Sequence, residues 1–194
     1  MYREYASLRW FTLQSAERAL VAKITPQVRV TLDSPAVSVM TDFSEIPAAT
    51  VEPEASIETA NDFMKRRGVR ALLVTDPEVI GILTATDVLG EKPVKLALER
   101  GARRDEIRVA DIMTPRGLVE LISFSEVREA RVGHIVATLK QAGRQHLLVG
   151  ERALSGVLVR GMFSLSQVAR QLGVDLQPTS FAHTFAEIEA ALGH

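Results

Sequence analysis

The chain has 194 residues, of which 46% are hydrophobic and 5% aromatic, and its formal charge is −1. This length allows one good-sized core or two small ones, and the apolar content excludes a disordered chain. The nearly neutral charge offers no general attraction for nucleic acid. The chain has no cysteine, which excludes disulfides, thiolate nucleophiles and cysteine metal sites.

The beginning of the chain does not resemble a targeting segment. Arg3, Glu4 and Arg9 interrupt any apolar run there, and no stretch of the sequence is long enough for a membrane span. We therefore expect a soluble protein in the cytoplasm.

The first elements are short. Four apolar residues near the start have no clean period: Leu8, Trp10, Phe11 and Leu13. Residues 28–32 alternate between apolar and polar, which predicts a half-buried strand. Ser34 as cap and Pro35 as first helical residue predict a short helix over residues 36–41.

A stronger helix follows a brief predicted strand at residues 50–51. Residues 53–56 open it, and Gly68 closes it in the left-handed conformation. Its predicted apolar face is Ile57, Ala60, Phe63 and Met64. The next residues predict two strands, 69–75 and 79–83, joined by a turn.

The motif at residues 81–87 combines a strand end with a helix start. If Thr84 is the N-cap of a helix over residues 84–89, the unpaired N–H groups there favour an anionic guest. Asp87, in the first turn, could accept hydrogen bonds from ribose hydroxyls. Thr-x-x-Asp is also a capping box that needs no ligand, and both readings stay open. Gly90 ends this helix, and a second one is predicted over residues 93–100.

After a charged linker at residues 101–108, the same order of signals returns. Met113 follows Met40 by 73 residues, and Gly143 follows Gly68 by 75. Gly161 follows Gly81 by 80, so the second hairpin carries about five extra residues, which we expect in its loop.

These signals predict two similar units that pack face to face around a pseudo-twofold axis, because neither has enough apolar surface to be stable alone. The predicted parts are an N-terminal extension (1–33), repeat 1 (34–100), the linker (101–108), repeat 2 (109–173) and a C-terminal tail (174–194). In the tail, a packing helix is predicted from the spacing of Phe181, Phe185, Ile188 and Leu192.

Residues 34–173 resemble a pair of cystathionine-β-synthase-type (CBS) domains, a Bateman module. Four duplicated or ordered motifs carry the resemblance: Val39-Met40-Thr41 with Ile112-Met113-Thr114, Val51-x-Pro53-x-x-Ser56, Gly68-Val69 before Leu72-Leu73-Val74, and Gly81-Ile82-Leu83-Thr84-x-x-Asp87. The resemblance implies an α/β (α+β) fold of two β-α-β-β-α repeats. It also implies a regulatory module without catalytic chemistry, usually a homodimer.

By the same resemblance, the cleft between the repeats binds an adenosine-containing ligand such as AMP, ADP, ATP, NAD or S-adenosylmethionine. Thr84 with Thr86 would hold phosphate, and Asp87 the ribose hydroxyls. Five further residues would enclose the adenine: Ile46, Pro47, Ala48, Arg70 and Ala71. The adenine nucleotide would be a regulatory ligand and no catalytic cofactor is expected. Since the chain has no room for a further domain, the regulated partner would be a separate, unknown protein.

The second copy of the motif departs from the family pattern. Ser164 keeps a hydroxyl, but Gln167 stands where the ribose-binding carboxylate would be. We therefore expect unequal clefts, with the Thr84 and Asp87 cleft binding the ligand better.

Two other classes of protein are an enzyme and a ligand-free scaffold. An enzyme would need a nucleophile with a base, paired carboxylates or metal ligands, and none stands out. The histidines have no metal-ligand spacing and are interpreted as structural or solvent-facing: His134, His146, His183 and His194. A ligand-free scaffold that acts through dimerisation is the alternative. Its predicted dimer face is Val37, Val39, Met40, Ile112 and Met113.

Overall fold

The computed structural model of the chain describes residues 30–174 and 186–188, together with Arg9, Thr12, Gln14 and Ala190. Seven residues named above as apolar anchors lie outside the described residues: Leu8, Trp10, Phe11, Leu13, Phe181, Phe185 and Leu192. Among the helices that are described, none combines the length and the apolar character that a membrane crossing requires.

Short strands and helices alternate along the chain. The strands are β1 (Thr41–Asp42), β2 (Thr50–Val51), β3 (Ala71–Asp76), β4 (Glu78–Thr84), β5 (Thr114–Pro115), β6 (Leu121–Ser123), β7 (His146–Ala153) and β8 (Gly156–Ser164). The α-helices are α1 (Ile57–Arg67), α2 (Ala85–Leu89), α3 (Glu91–Arg100), α4 (Val109–Ile112), α5 (Phe124–Glu129), α6 (Val132–Ala142) and α7 (Leu165–Gln171). Short 3₁₀ helices lie at Ala36–Val39, Arg104–Glu106 and Arg116–Leu118.

The strands form two four-stranded sheets. The first sheet has the order β2-β3-β4-β5, and the second sheet has the order β1-β8-β7-β6. In each sheet the two long strands form an antiparallel hairpin, and the short strand before the main helix pairs in parallel with the hairpin. The predicted α+β class and its two similar halves are confirmed.

Local sequence signals account for the main helix of the first half. Ser56 caps α1 by accepting a hydrogen bond from the N–H of Thr59 at 3.1 Å, and Gly68 ends it with φ of 64°. A residue with a Cβ is strained at that angle, which is why glycine stands there. The predicted helix and its left-handed cap are confirmed.

Each half of the chain contributes one strand to the sheet of the other half. The strand β1 precedes the first hairpin in sequence but pairs with β8, and β5 of the second repeat pairs with β4. Two glycines allow this close approach, because a Cβ on Gly161 would lie 2.6 Å from the carbonyl oxygen of Thr41, and one on Gly81 equally close to that of Thr114. The two repeats are therefore interlocked.

This exchange overturns the dimer face expected from the sequence. Ala36 and Val39 are buried in the core of the second sheet, together with Phe163. Val109 and Ile112 are buried in the core of the first. The predicted face consists largely of residues that fill the opposite repeat's core, so the prediction is wrong.

The segment before the first 3₁₀ helix also differs from the prediction. Over the described residues 30–32 there is no strand. Thr31 donates its N–H to the Ser34 hydroxyl at 3.0 Å, and Ser34 donates its own N–H to the Thr31 carbonyl at 3.1 Å. Because these bonds close a turn, Ser34 does not cap the helix, and Pro35 takes the N-cap position.

Two connecting segments are more ordered than the sequence suggested. The predicted linker at residues 101–108 contains a 3₁₀ helix and buries Ile107 in the first core. The extra residues of the second hairpin extend its two strands, so that only residues 154 and 155 remain between them. The expectation of a longer loop is wrong, because antiparallel pairing continues to Ala153 and Gly156.

The two sheets meet at a small apolar cluster of Ala71, Leu73, Ile82 and Leu148. The larger cores lie behind it, one on each sheet. Ile188, the one described residue of the tail's predicted apolar face, is buried in the second core. The clefts described next lie beside the apolar cluster where the sheets meet.

Candidate functional site

The first cleft, here called the arginine pocket, has a volume of about 310 Å³ and is lined by both repeats. Its apolar wall includes Phe43, Ile46, Pro47, Ala71, Leu73 and Met162. Its polar wall includes Thr41, Arg67, Arg70, Ser164, Ser166, Gln167 and Arg170. An apolar cavity with a few polar groups at its edge is the usual form of a small-molecule site.

Hydrogen bonds across the repeats order one side of the arginine pocket. The Thr41 hydroxyl donates to Oε1 of Gln167 at 3.1 Å, and the hydroxyls of Ser164 and Ser166 lie 3.1 Å apart. The amide N–H groups of Gln167 can donate to a ligand, whereas a carboxylate at this position could only accept. This side of the pocket is therefore suited to an acceptor-rich group.

The second cleft, here called the Asp87 pocket, has a volume of about 400 Å³. Its lining is mostly polar: Thr84, Thr86, Asp87, Thr114, Glu120, Gly143, Arg144, Gln145 and His146, with Ile82, Val119 and Leu148. Arg144 is paired with Glu120 at 3.0 Å. The pocket thus contains two carboxylates and one paired arginine.

The Asp87 carboxylate already has partners on both oxygens. Its Oδ2 accepts from the N–H of Thr84 at 2.9 Å and from the Thr84 hydroxyl at 2.6 Å. Its Oδ1 accepts from Nζ of Lys92 at 2.5 Å. The capping-box reading of Thr84 and Asp87 is confirmed, and a ribose would have to share the carboxylate with the Lys92 ammonium.

The residues predicted to form one site are divided between the two pockets. Thr84, Thr86 and Asp87 line the Asp87 pocket. Five others predicted with them do not: Ile46, Pro47, Arg70 and Ala71 line the arginine pocket, and Ala48 lines neither. Ser164 lies in the arginine pocket. Each cleft therefore combines residues at the start of the hairpin of one repeat with residues at the start of the helix that follows the hairpin of the other repeat.

A shared wall separates the pockets. Ala71 and Thr84 are paired neighbours in the hairpin, yet they line different clefts. Ile82 and His146 line both clefts and form the wall between them. His146 is the counterpart of Ala71 at an offset of 75 residues. The larger imidazole fills space between the pockets.

Sequence reasoning missed several lining residues of the arginine pocket: Thr41, Phe43, Ala49, Arg67, Ser166 and Arg170. Arg67 stands just before the Gly68 cap, and Arg170 lies one turn beyond Ser166 in α7. Both positions adjoin recognised motifs, so the sequence contained the signal. It could be read only after the two repeats were known to share a cleft.

His146 is buried, with 9% of its surface exposed. Burial, together with the positive charge of Arg70, lowers the pKa of His146 from 6.5 to about 4, while Asp87 acts in the opposite direction. A buried imidazole in an apolar wall loses the hydration of its charged form, which favours the neutral form. The side chain is therefore uncharged at neutral pH, and its interpretation as structural is compatible with a place between two clefts.

Comparison with known proteins identifies the fold. The family model of the CBS domain matches residues 36–93. An uncharacterized conserved protein from Pyrococcus horikoshii superimposes with a TM-score of 0.52 at 20% identity, covering 77% of this chain and 100% of that chain. CBSX2 of Arabidopsis thaliana, in a structure with AMP, superimposes with a TM-score of 0.50 at 19% identity, covering 71% of this chain and 94% of that one.

No curated protein matches the chain in sequence. The superpositions with the solved structures show a shared fold. By the family model, residues 36–93 are a CBS domain.

Proposed function

We propose that this protein is a regulatory module that binds an adenosine-containing ligand between its repeats and signals to a separate protein. The observation that carries the proposal is the arginine pocket. Its apolar wall of Ile46, Pro47 and Met162 suits a purine base, and its arginines and hydroxyls suit phosphate oxygens. Both repeats line the cleft, so an occupant would change how they contact each other.

The comparisons support this proposal at the level of the family. CBS domains are generally regulatory modules, and CBSX2 has been crystallised with AMP. The ligands we consider for this chain remain AMP, ADP, ATP, NAD and S-adenosylmethionine. The proposal includes a cytoplasmic location and no catalytic activity.

Calorimetric titration with these five ligands tests the proposal, and we expect at least one to bind in the arginine pocket. Met162→Arg, which would place a charge in the apolar wall of that pocket, should abolish binding. Asp87→Ala, in the other pocket, should change binding little. A loss of about ten- to a hundred-fold, the size expected when a hydrogen bond of about 1.5–3 kcal/mol to a charged group is removed, would instead place the ligand in the Asp87 pocket.

A matched control is Asp105→Ala, because Asp105 is exposed and lines neither pocket. The unfolding free energy of each variant must be compared with that of the parent, since Asp87 also caps α2. Absence of binding by all five ligands would reject the proposal and leave the ligand-free scaffold as the better interpretation.

Homodimerisation is part of the proposal, but through a surface other than the one predicted. Leu89, Val94 and Leu98 are exposed on α2 and α3, and exposed apolar residues grouped on adjoining helices are typical of interaction surfaces. Light scattering should show a dimer that Leu98→Lys converts to a monomer. Leu154→Lys, at the exposed tip of the second hairpin, is the control and should leave the dimer intact. A monomer at every concentration would refute this part.

A further inference from the structure

We propose that the arginine pocket takes a ligand that ends in a chain of at least two phosphates and takes it without a divalent metal ion. The inference rests on the proposed function, because it specifies the charge and the chemical class of the nucleotide in that pocket. Among the ligands considered above it favours ADP and ATP, whose phosphate chain ends free, over AMP with its single phosphate. It also favours them over NAD, whose two phosphates are diesters with one charge each and whose nicotinamide ring is positive, and it disfavours the cationic S-adenosylmethionine.

The charge of the pocket is the first argument. Arg67, Arg70 and Arg170 line it, and among the described residues no aspartate or glutamate does. Burial keeps His146, the other titratable group in its lining, neutral at pH 7. The cleft therefore presents three positive charges to whatever enters it, and guanidinium groups bind phosphate oxygens with two parallel hydrogen bonds.

These three arginines lack ion-pair partners within the part of the chain that the structure describes. Arg67 lies over the Phe63 ring, 5.6 Å from its centroid. No carboxylate of a described residue lies within 4.0 Å of the guanidinium nitrogens of Arg67, Arg70 or Arg170. Arg144 of the other pocket, by contrast, is neutralised by Glu120. The donors of the arginine pocket are thus available to an incoming anion.

The pseudo-symmetry of the molecule shows that this charge is not a general property of the repeats. At an offset of 75 residues, the counterpart of Arg70 is Gln145 and the counterpart of Arg67 is Ala142. The Asp87 pocket, which Gln145 lines, contains two carboxylates instead. Only one of the two clefts is built for a polyanion.

The absence of carboxylates from the lining also bears on metal ions. Mg²⁺ in nucleotide sites has one or two carboxylates and the phosphates as ligands, and the described residues that line the arginine pocket offer no carboxylate. In the described residues there is no group of three side chains suited to hold a metal. Mg²⁺ on the phosphates would cancel charge that the arginines would otherwise neutralise, so metal and protein compete for the same oxygens.

Calorimetric titrations at constant ionic strength test the inference, because exposed arginines are screened by salt. In EDTA, we expect ADP and ATP to bind at least about ten-fold more tightly than AMP, since the added phosphates make further charge-assisted contacts with the arginines. Excess Mg²⁺ should weaken ATP binding by a similar factor. Equal affinities for AMP and ATP, or tighter binding with Mg²⁺, would overturn the inference.

Variants of single arginines then show which residues contribute to ATP binding. Arg70→Gln gives repeat 1 the residue found at the equivalent position of repeat 2, and it should weaken ATP binding about ten-fold while changing adenosine binding little. Arg170→Gln should behave alike. Arg66→Gln is the matched control, since Arg66 is exposed on the same helix as Arg67 but does not line the pocket. An equal loss in Arg66→Gln would show general surface attraction and refute the site.

Two further probes separate this inference from the proposed function. If S-adenosylmethionine or adenosine binds as tightly as ATP, the adenosine-binding function stands and the polyphosphate inference fails. If inorganic triphosphate binds as tightly as ATP and adenosine does not bind, the polyphosphate inference stands and the adenosine-binding function fails.

Discussion

A chain that ends after Arg104 should not fold. It would lack Ile107, Val109 and Ile112, which are at most 3% exposed and belong to the core of the first sheet. Each such side chain contributes about 1.5–3 kcal/mol when buried, and their sum approaches the whole stability of about 5–15 kcal/mol of an ordinary domain. Circular dichroism with urea unfolding should show no cooperative transition.

The matched comparison is a shorter fragment of residues 44–118, which contains every buried residue of that core together with β5. It should retain more helical signal than the fragment of residues 1–104, although it has fewer residues. If the fragment ending at Arg104 unfolded cooperatively as a soluble monomer, the interlocked core would not be needed for folding.

The stability of the protein should fall by about 3 kcal/mol between pH 6.5 and pH 4 because of His146. The pKa of its imidazole is about 4 in the folded chain and 6.5 as an ordinary value. In this window the unfolded chain binds a proton at His146 that the folded chain does not, so lowering the pH favours unfolding. One pKa unit corresponds to about 1.36 kcal/mol, which gives the stated size.

Urea unfolding at pH 7.0, 6.0 and 5.0 measures this slope, and His146→Gln should remove most of it. The carboxylates of Asp42 and Asp111 act in a lower range, because the side chain of Arg160 and the backbone N–H of Arg108 respectively lower their pKa values. Their contributions are present above the ordinary value of 3.8 and are lost below it. A slope in His146→Gln equal to that of the parent would show that other groups cause the pH dependence.

The elements that local signals specify could be predicted from the sequence. The cap at Ser56, the left-handed Gly68 and the capping box of Thr84 with Asp87 each depend on residues at most a few positions apart. Such signals act within one turn of chain and do not depend on the rest of the fold. They located α1 and α2 correctly.

The sequence could not show which core each apolar residue joins. Val39 and Ile112 have the pattern of a buried residue, and nothing local distinguishes the core of their own repeat from that of the other. For the same reason, residues that were predicted to form one site lie in two different pockets. Arg70 precedes the hairpin in which Thr84 lies, but the clefts they line are completed by residues of the second repeat about 30 to 100 positions away, so the grouping follows from assembly of the halves.

The pairing of β1 with β8 also determines the order in which segments of the chain can dock during synthesis. Asp42 and its partner Arg160 are 118 residues apart in sequence, and at typical rates of synthesis that interval lasts on the order of ten seconds. During this time Ala36 and Val39 have no core to enter, whereas β5 reaches the first hairpin soon after that hairpin is complete. The segment that leaves the ribosome early therefore docks among the last, and a chaperone would have the longest access to it.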